Sequence, residues 1–274
     1  MHPVWLNGEP AAGVSPLDRG LAYGDGLFET IRITKSRPTL FELHMERLLE
    51  GATRLGLSLD SGALVSEIQR YLLINEITEG VLKIILSRGV GGRGYNPSGC
   101  ESHHRILTCF EVPDYTDGPG VNGIELFDCQ TRLGLSPATA GMKHLNRLEQ
   151  VMARGEWDDA RYAEGLMLNI NNQPIEGTMS NLFLVSAGTL LTPDLSMSGV
   201  AGVCRQFVIN HAAQWGIAVE TGSLFLEQLF EADELFICNS VFGVWPVVAY
   251  AAHRWSIGPV TRTVQQRVEE ALNR

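Results

Sequence analysis

Apolar and polar residues alternate over positions 27–34, so that Leu27, Glu29, Ile31 and Ile33 share one face and Phe28, Thr30, Arg32 and Thr34 the other. That period of two predicts a half-buried strand, and Lys35-Ser36-Arg37-Pro38 behind it predicts the turn of a hairpin. The period then changes. Leu43, Leu48, Leu49, Ala52 and Leu55 outline a helix, and Asp60-Ser61 precede a second one with Leu64, Ile68 and Leu72 four apart. The apolar, β-branched runs at 81–87 and 105–111 predict two more strands of the same sheet.

Residues 113–120 interrupt this alternation of strands and helices with two prolines and two glycines that no periodic pattern crosses, which predicts a linker. The expected organisation is a smaller N-terminal α/β domain over 1–112 and a larger C-terminal α/β domain over 121–274. In the latter, a strand over 123–129 leads to the loop Gly141-Met142, after which Leu145, Leu148 and Met152 recur at helical spacing. Strand pairs follow within 165–191, turning at Asn171-Asn172-Gln173-Pro174 and at Ala187-Gly188. A helix over 203–215, further strands and a last helix complete an α/β (α+β) chain without internal repeats.

Composition narrows the function classes. A net charge of -10 over 274 residues argues against broad nucleic-acid binding, which needs a basic face to displace counterions. The longest apolar run, 241–252, is short and broken by Pro246, and Met1-His2-Pro3-Val4-Trp5 lacks the basic and apolar regions of a secretory signal, so a cytoplasmic protein is expected. Cys100, Cys109, Cys129, Cys204 and Cys238 are scattered, odd in number and never spaced as Cys-x-x-Cys, which predicts reduced, mostly buried thiols and no zinc site.

Five places carry candidate chemistry. Lys143 stands at the expected mouth of the helix that includes Leu145 and Leu148, where an amine can point into a cleft; the alternative is a solvated surface charge. Glu176 lies in Pro174-Ile175-Glu176-Gly177-Thr178, a small polar run leading into an apolar strand, and is either a cleft carboxylate or a turn residue. The glycines of Ser198-Gly199-Val200-Ala201-Gly202 open the helix at Val203 and Cys204, where free N–H groups and the helix dipole suit an anion, unless they serve only to turn the chain. His44, Arg47 and Leu48 share a helix face, which lets the Arg47 fork reach inward or, alternatively, lie at the helix edge with its head in water. Arg88 and Arg93 flank a glycine-rich loop whose Gly-x-Gly-x-x-Gly spacing runs into Pro97 instead of a helix, so it is no dinucleotide fingerprint and suits a carboxylate better. There is no Gly-x-Ser-x-Gly elbow and no Walker loop, and His103-His104, lacking ligand-spaced partners, is expected at the surface.

The segment Lys143-His144-Leu145-Asn146-Arg147-Leu148-Glu149-Gln150, with its Gly-Met prefix, resembles the cofactor-lysine segment of a lyase subgroup of the fold type IV pyridoxal phosphate family, which also holds the D-amino-acid and branched-chain aminotransferases. The similarity runs from Asp18-Arg19-Gly20 and the 23–30 segment through Asp233-Glu234-Leu235. It implies two α/β domains with the site between them, in a homodimer whose partner chain helps wall that site. It implies pyridoxal 5'-phosphate held as a Schiff base by Lys143, with Glu176 at the pyridine nitrogen and Arg47, the backbone of Val203 and Cys204, and Ser240 at the phosphate. Arg93, with Arg88 second, is then implied for an anionic substrate, 4-amino-4-deoxychorismate, split into 4-aminobenzoate and pyruvate for folate synthesis. Thr30, where branched-chain aminotransferases have Gly, or Lys143 is implied as the acid that protonates the departing enol carbon. Two positions depart from the pattern: Asn169, where relatives have Asp, and Ser240, where some of these lyases lack a hydroxyl. An aminotransferase shares most of these features, whereas a non-catalytic relative would be expected to have lost Lys143 or Glu176.

Overall fold

The computed structural model describes residues 2–100, 102–115 and 118–273; Thr116 and Asp117 of the expected linker lie outside the described residues. The chain divides into two compact units, one holding residues up to Pro113 together with Met142–Asn146, the other Asp114–Gly141 and Arg147–Asn273.

The first unit is a six-stranded sheet with two long helices. Its elements are β1 (Trp5–Leu6), β2 (Glu9–Pro10), α1 (Arg19–Tyr23), β3 (Gly26–Thr34), β4 (Arg37–Pro38), α2 (Phe41–Leu55), α3 (Ser61–Ile74), β5 (Gly80–Ser87) and β6 (His104–Phe110). The strands run in the order β2-β1-β6-β5-β3-β4. In β3 the alternation holds: Leu27, Glu29, Ile31 and Ile33 are buried, while Phe28, Thr30 and Arg32 are only partly covered. Lys35 and Ser36 take the left-handed backbone of a tight hairpin turn, with φ of 52° and 61°. Asp60 caps α3, its side chain accepting from the Ala63 N–H at 2.9 Å. Leu27 and Ile31 of β3, Leu82 and Ile84 of β5, Leu48 of α2 and Leu64 of α3 then form one apolar cluster, each side chain contributing roughly 1.5–3 kcal/mol by leaving water.

The second unit is built on a nine-stranded sheet. It comprises α4 (Pro119–Asn122), β7 (Ile124–Asp128), α5 (Leu148–Arg154), β8 (Tyr162–Leu168), β9 (Pro174–Gly177), β10 (Asn181–Ser186), β11 (Thr189–Pro193), α6 (Val203–His211), β12 (Val219–Gly222), α7 (Leu226–Glu231), β13 (Glu234–Asn239), β14 (Gly243–Tyr250), β15 (His253–Arg254) and α8 (Pro259–Leu272). The order β12-β11-β10-β13-β14-β7-β8-β9 is closed on itself from β10 to β9, because Asn181 of β10 also pairs with Glu176 of β9. A 3-10 turn, Ala212–Trp215, continues α6 over the predicted span. All five cysteines are unpaired and buried. Among the described residues no helix is long and apolar enough to cross a membrane.

One sequence expectation is corrected. The helix read as opening at Lys143 begins only at Leu148, and Leu148, Val151 and Met152 are 69%, 65% and 57% exposed. The apolar side chains of α5 face outward, and residues 143–146 are extended because they pair with β3 instead.

Candidate functional site

In the first unit Lys143 is carried by a short extended segment on the N-terminal end of β3. The Phe28 N–H donates to the Lys143 carbonyl at 2.9 Å and the Leu145 N–H to the Gly26 carbonyl at 3.0 Å, with Leu27 opposite His144. Glycine makes this approach possible: a Cβ on Gly26 would stand 2.4 Å from the Leu86 carbonyl and 2.9 Å from Leu145, and one on Gly24 would meet Asn146 at 2.3 Å. The amine of Lys143 lies 4.4 Å from the centre of the Phe28 ring, and that of Lys83 lies 5.5 Å from the same ring. Thr30, two residues along β3 on that face, is the register partner of Lys83. Phe28, Thr30, Lys83 and Lys143 are thus brought together on the side of β3 away from the Leu27 face. Lys83 was missed from sequence, although a lysine inside the apolar run of β5 is the signal that could have found it.

Arg47 is not at the helix edge with its head in water. Its Nε donates to Glu29 Oε1 at 2.8 Å and an Nη to Oε2 at 2.5 Å, and His44 Nδ1 lies 2.6 Å from Oε2. Burial alone would raise the Glu29 pKa, but the Arg47 charge and the His44 hydrogen bond hold it at about 2. Burial lowers the His44 pKa against the pull of Glu29. A neutral His44 therefore donates from Nδ1, and the ionic partner of Glu29 is Arg47.

The two arginines of the glycine-rich loop part company. Arg88 is buried: its Nε donates to Asp25 at 2.7 Å and its Nη groups to the Leu55 and Gly56 carbonyls at 2.7 and 3.4 Å. That fork is engaged inside the unit, at one carboxylate and two main-chain carbonyls. Arg93 is exposed, and no hydrogen bond or ion pair to a described residue ties it down. Burial alone would raise the Asp25 pKa, yet hydrogen bonds from Arg88 and Arg19 keep it below the ordinary value. His104 is corrected too: it is not a surface residue but sits with Nδ1 at 2.6 Å from the buried Asp18, which also accepts from the Ser87 hydroxyl at 2.7 Å.

The second unit holds the other sequence candidates. Glu176 is 3% exposed on β9, its Oε2 accepting from the Val200 N–H at 2.7 Å and its Oε1 from the Gln150 amide at 3.2 Å. It is no solvated turn residue. Gly199, with φ of 83°, lets the loop fold over it, since a Cβ there would lie 3.1 Å from Glu176 Oε2. Asn181 holds the same loop through the Val200 carbonyl at 2.8 Å, and a Cβ on Gly202 would collide with its Oδ1. Gly202 then caps α6 and, being glycine, offers no side chain to the first N–H groups, at Val203 and Cys204. Ser240 is buried in the turn after β13, where Asn239 Oδ1 accepts from the Val241 and Phe242 N–H groups, both at 2.9 Å. Asn169 builds the β8–β9 turn, its Oδ1 accepting from the N–H groups of Asn171 and Gln173.

Glu164 was also missed. Fully buried on β8, it accepts from the Thr178 N–H at 3.0 Å and hydroxyl at 2.5 Å, the Met179 N–H at 3.1 Å and the Ser180 hydroxyl at 2.9 Å, and so shapes the loop that follows Glu176. An acid inside the otherwise apolar β8 was its only mark in the sequence.

Comparison with known proteins agrees with this arrangement. Residues 26–250 match the amino-transferase class IV family. The chain is 38% identical to the aminodeoxychorismate lyase of Vibrio harveyi, over 95% of this chain and 97% of that one. It superposes on the crystal structure of 4-amino-4-deoxychorismate lyase from Pseudomonas aeruginosa with a TM-score of 0.95 and 46% identity, covering 99% of this chain and 100% of that one. The branched-chain amino acid aminotransferase of Escherichia coli matches with a TM-score of 0.84 and 27% identity, over 96% and 92% of the two chains. With its mixed sheets and helices, the chain belongs to the class IV amino-transferase family.

Proposed function

We propose that the protein is a pyridoxal 5'-phosphate-dependent lyase that converts 4-amino-4-deoxychorismate to 4-aminobenzoate and pyruvate, a step of folate synthesis. The observation that carries this reading is Lys143, pinned by its own carbonyl to β3 so that its amine stands over Phe28 beside Thr30 and Lys83, in a chain 46% identical to a lyase of that name.

The residues fit the cofactor. A phosphate suits the N-terminus of α6, where Gly202 has no room for a side chain and the first N–H groups are available to an anion. A protonated ring nitrogen suits Glu176, a buried carboxylate fixed by Val200 and Gln150. In this reading the Val203 and Cys204 N–H groups and Ser240 hold phosphate, together with Arg47, whose fork Glu29 orients. Pyridoxal phosphate supplies a carbonyl that binds amines and a protonated ring that accepts electrons from the adjoining carbon. Lys143 would hold the cofactor, and its amine, when free, would take the proton from the amine-bearing ring carbon of the substrate. Loss of the enolpyruvyl oxygen from the neighbouring carbon leaves an aromatic ring. A proton delivered by Thr30 or Lys143 to the departing enol carbon completes pyruvate. Arg93 takes a substrate carboxylate.

The same reading includes a cytoplasmic homodimer. The apolar, exposed Leu148, Val151 and Met152 of α5 support a second copy as the cover, and five unpaired thiols support a reducing compartment.

Borohydride reduction of the yellow protein followed by peptide mapping should place the label on Lys143, and Lys143→Ala should lose it. Assays should show 4-aminobenzoate from 4-amino-4-deoxychorismate and little amino transfer from D- or branched-chain amino acids. Glu176→Gln should keep the cofactor while turnover drops by orders of magnitude, because an amide cannot keep the ring nitrogen protonated. A label on another lysine rejects the assignment of Lys143, and transamination outpacing lysis rejects the lyase.

A further inference from the structure

Arg19 is a buried cation that the chemistry above does not use. It is 3% exposed at the start of α1, and both of its Nη groups donate to the loop that bears Arg93. Nε donates to Asp25 at 2.9 Å, one Nη to the Gly94 carbonyl at 2.9 Å and the other to the Tyr95 carbonyl at 3.0 Å. The two carbonyls are those that directly follow Arg93. Arg19 Cζ lies 4.9 Å from the centre of the Tyr23 ring, which meets Tyr95 edge-on at 5.4 Å. Gly91, on the other side of Arg93, has no room for a side chain, because a Cβ would stand 2.7 Å from Arg19 Cδ. The base of the strut is rigid as well: Asp25 accepts from both Arg19 and the buried Arg88, and the Asp18 side chain caps the helix that Arg19 opens.

An exposed loop with three glycines around its arginine has many conformations to lose when a ligand binds. Fixing the backbone of the next two residues removes part of that cost before the ligand arrives. The Arg93 side chain is left exposed while the carbonyls of the two residues after it are held, which is the arrangement expected for a preorganised carboxylate ligand. We propose that Arg19 is the positioning residue for Arg93: through the Gly94 and Tyr95 carbonyls it holds the loop in the conformation in which Arg93 takes a carboxylate of the substrate. This rests on the lyase reading and on the role given there to Arg93.

The test is a double-variant cycle on the cofactor-loaded enzyme, with 4-amino-4-deoxychorismate as substrate. Arg93→Ala should raise KM by about tenfold to a hundredfold, the value of a charged forked contact. Arg19→Lys keeps a charge for Asp25 but loses the second and third donors, and should raise KM by about threefold to tenfold, with kcat and the cofactor absorbance unchanged. In the double variant KM should be no higher than in Arg93→Ala alone, because Arg19 acts through Arg93. Amide exchange over residues 92–96 should quicken in Arg19→Lys. If that variant does not fold, Arg19→Gln, with a single amide donor, carries the same expectations. Multiplicative effects on KM, or a loss of cofactor with KM unchanged, overturn the inference and leave the lyase standing. An unchanged KM in Arg93→Ala overturns the role of the loop and this inference with it, and a wild-type protein that forms no 4-aminobenzoate rejects the proposed function itself.

Discussion

Glu29 in the first unit and Glu164 in the second are both fully buried acids on strands, and the fold satisfies them by opposite means. Glu29 is met by side chains of one helix, the Arg47 cation and the neutral His44. Glu164 is met by neutral donors, two N–H groups and two hydroxyls, from the loop Thr178–Ser180, with the Gly165 N–H as a fifth at 2.9 Å. An ion pair ties two rigid elements at one point and cancels charge locally. A set of neutral donors makes the carboxylate the template on which a loop is wound. The first device suits a residue, Arg47, whose direction has to be set; the second suits a segment, 177–180, whose whole course has to be set.

The sharpest way to break the comparison is Glu29→Gln. It leaves the Arg47 cation buried without its counterion, and removal of one partner of a buried pair costs about 3–5 kcal/mol. Urea unfolding should show a loss in that range at neutral pH with the slope unchanged. Acid should erase the difference. With its pKa at about 2 in the fold against 4.5 for the free carboxyl, Glu29 stabilises fully above pH 4.5, and this contribution, roughly 3 kcal/mol, is lost as pH falls from there through 2. His44 acts in the same sense from below pH 6.5, since the unfolded chain takes up its proton first. The stability of Glu29→Gln should therefore converge on that of the unaltered protein between pH 4.5 and 2. Parallel curves would show that Glu29 is not ionised in the fold.

Glu164→Gln should cost less. An amide keeps one acceptor oxygen and the Ser180 hydroxyl can turn to accept, so the main loss is an acceptor for the Met179 N–H, about 1–3 kcal/mol. The damage should be local, with faster amide exchange confined to residues 177–180. A global loss equal to that of Glu29→Gln would abolish the distinction.

The two acids were not equally legible. The period of two in β3 put Glu29 on the Leu27 face, and helix spacing put His44 and Arg47 on one side of α2, so only the pairing of strand with helix was hidden. Nothing local announces that Glu164 will meet a loop fourteen to sixteen residues later, because half of its donors there are backbone N–H groups, which carry no side-chain signature. The same blindness misplaced Lys143: Leu145, Leu148 and Met152 keep helical spacing, but the hydrogen bonds that hold 143–146 extended come from Gly26 and Phe28, more than a hundred residues earlier. Glycines at 24 and 26 were the visible trace of that approach, readable only once its partner is known. The partners of Arg88 were hidden for a related reason, since they are Asp25 and main-chain carbonyls that no motif spells out.

Glu176 falls between the two acids and gives the smallest effect. Its Oε1 accepts from Gln150, whose own Oε1 is buried with no partner among the described residues. Gln150→Leu takes away one hydrogen bond to a charged group, costing about 1.5–3 kcal/mol, and also removes a buried unsatisfied acceptor, which returns about 1–3 kcal/mol. The contributions nearly cancel, so stability should change by no more than about 1 kcal/mol, within reach of replicate urea titrations. Function should not share that cancellation. The carboxylate that Gln150 helps to hold keeps its Val200 bond but can now turn about it, and in the proposed chemistry its orientation toward the ring nitrogen governs turnover. A variant as stable as the parent yet slower separates the work of Gln150 from mere packing. One that is several kcal/mol less stable would mean that Glu176, like Glu29, depends on its side-chain partner to remain buried.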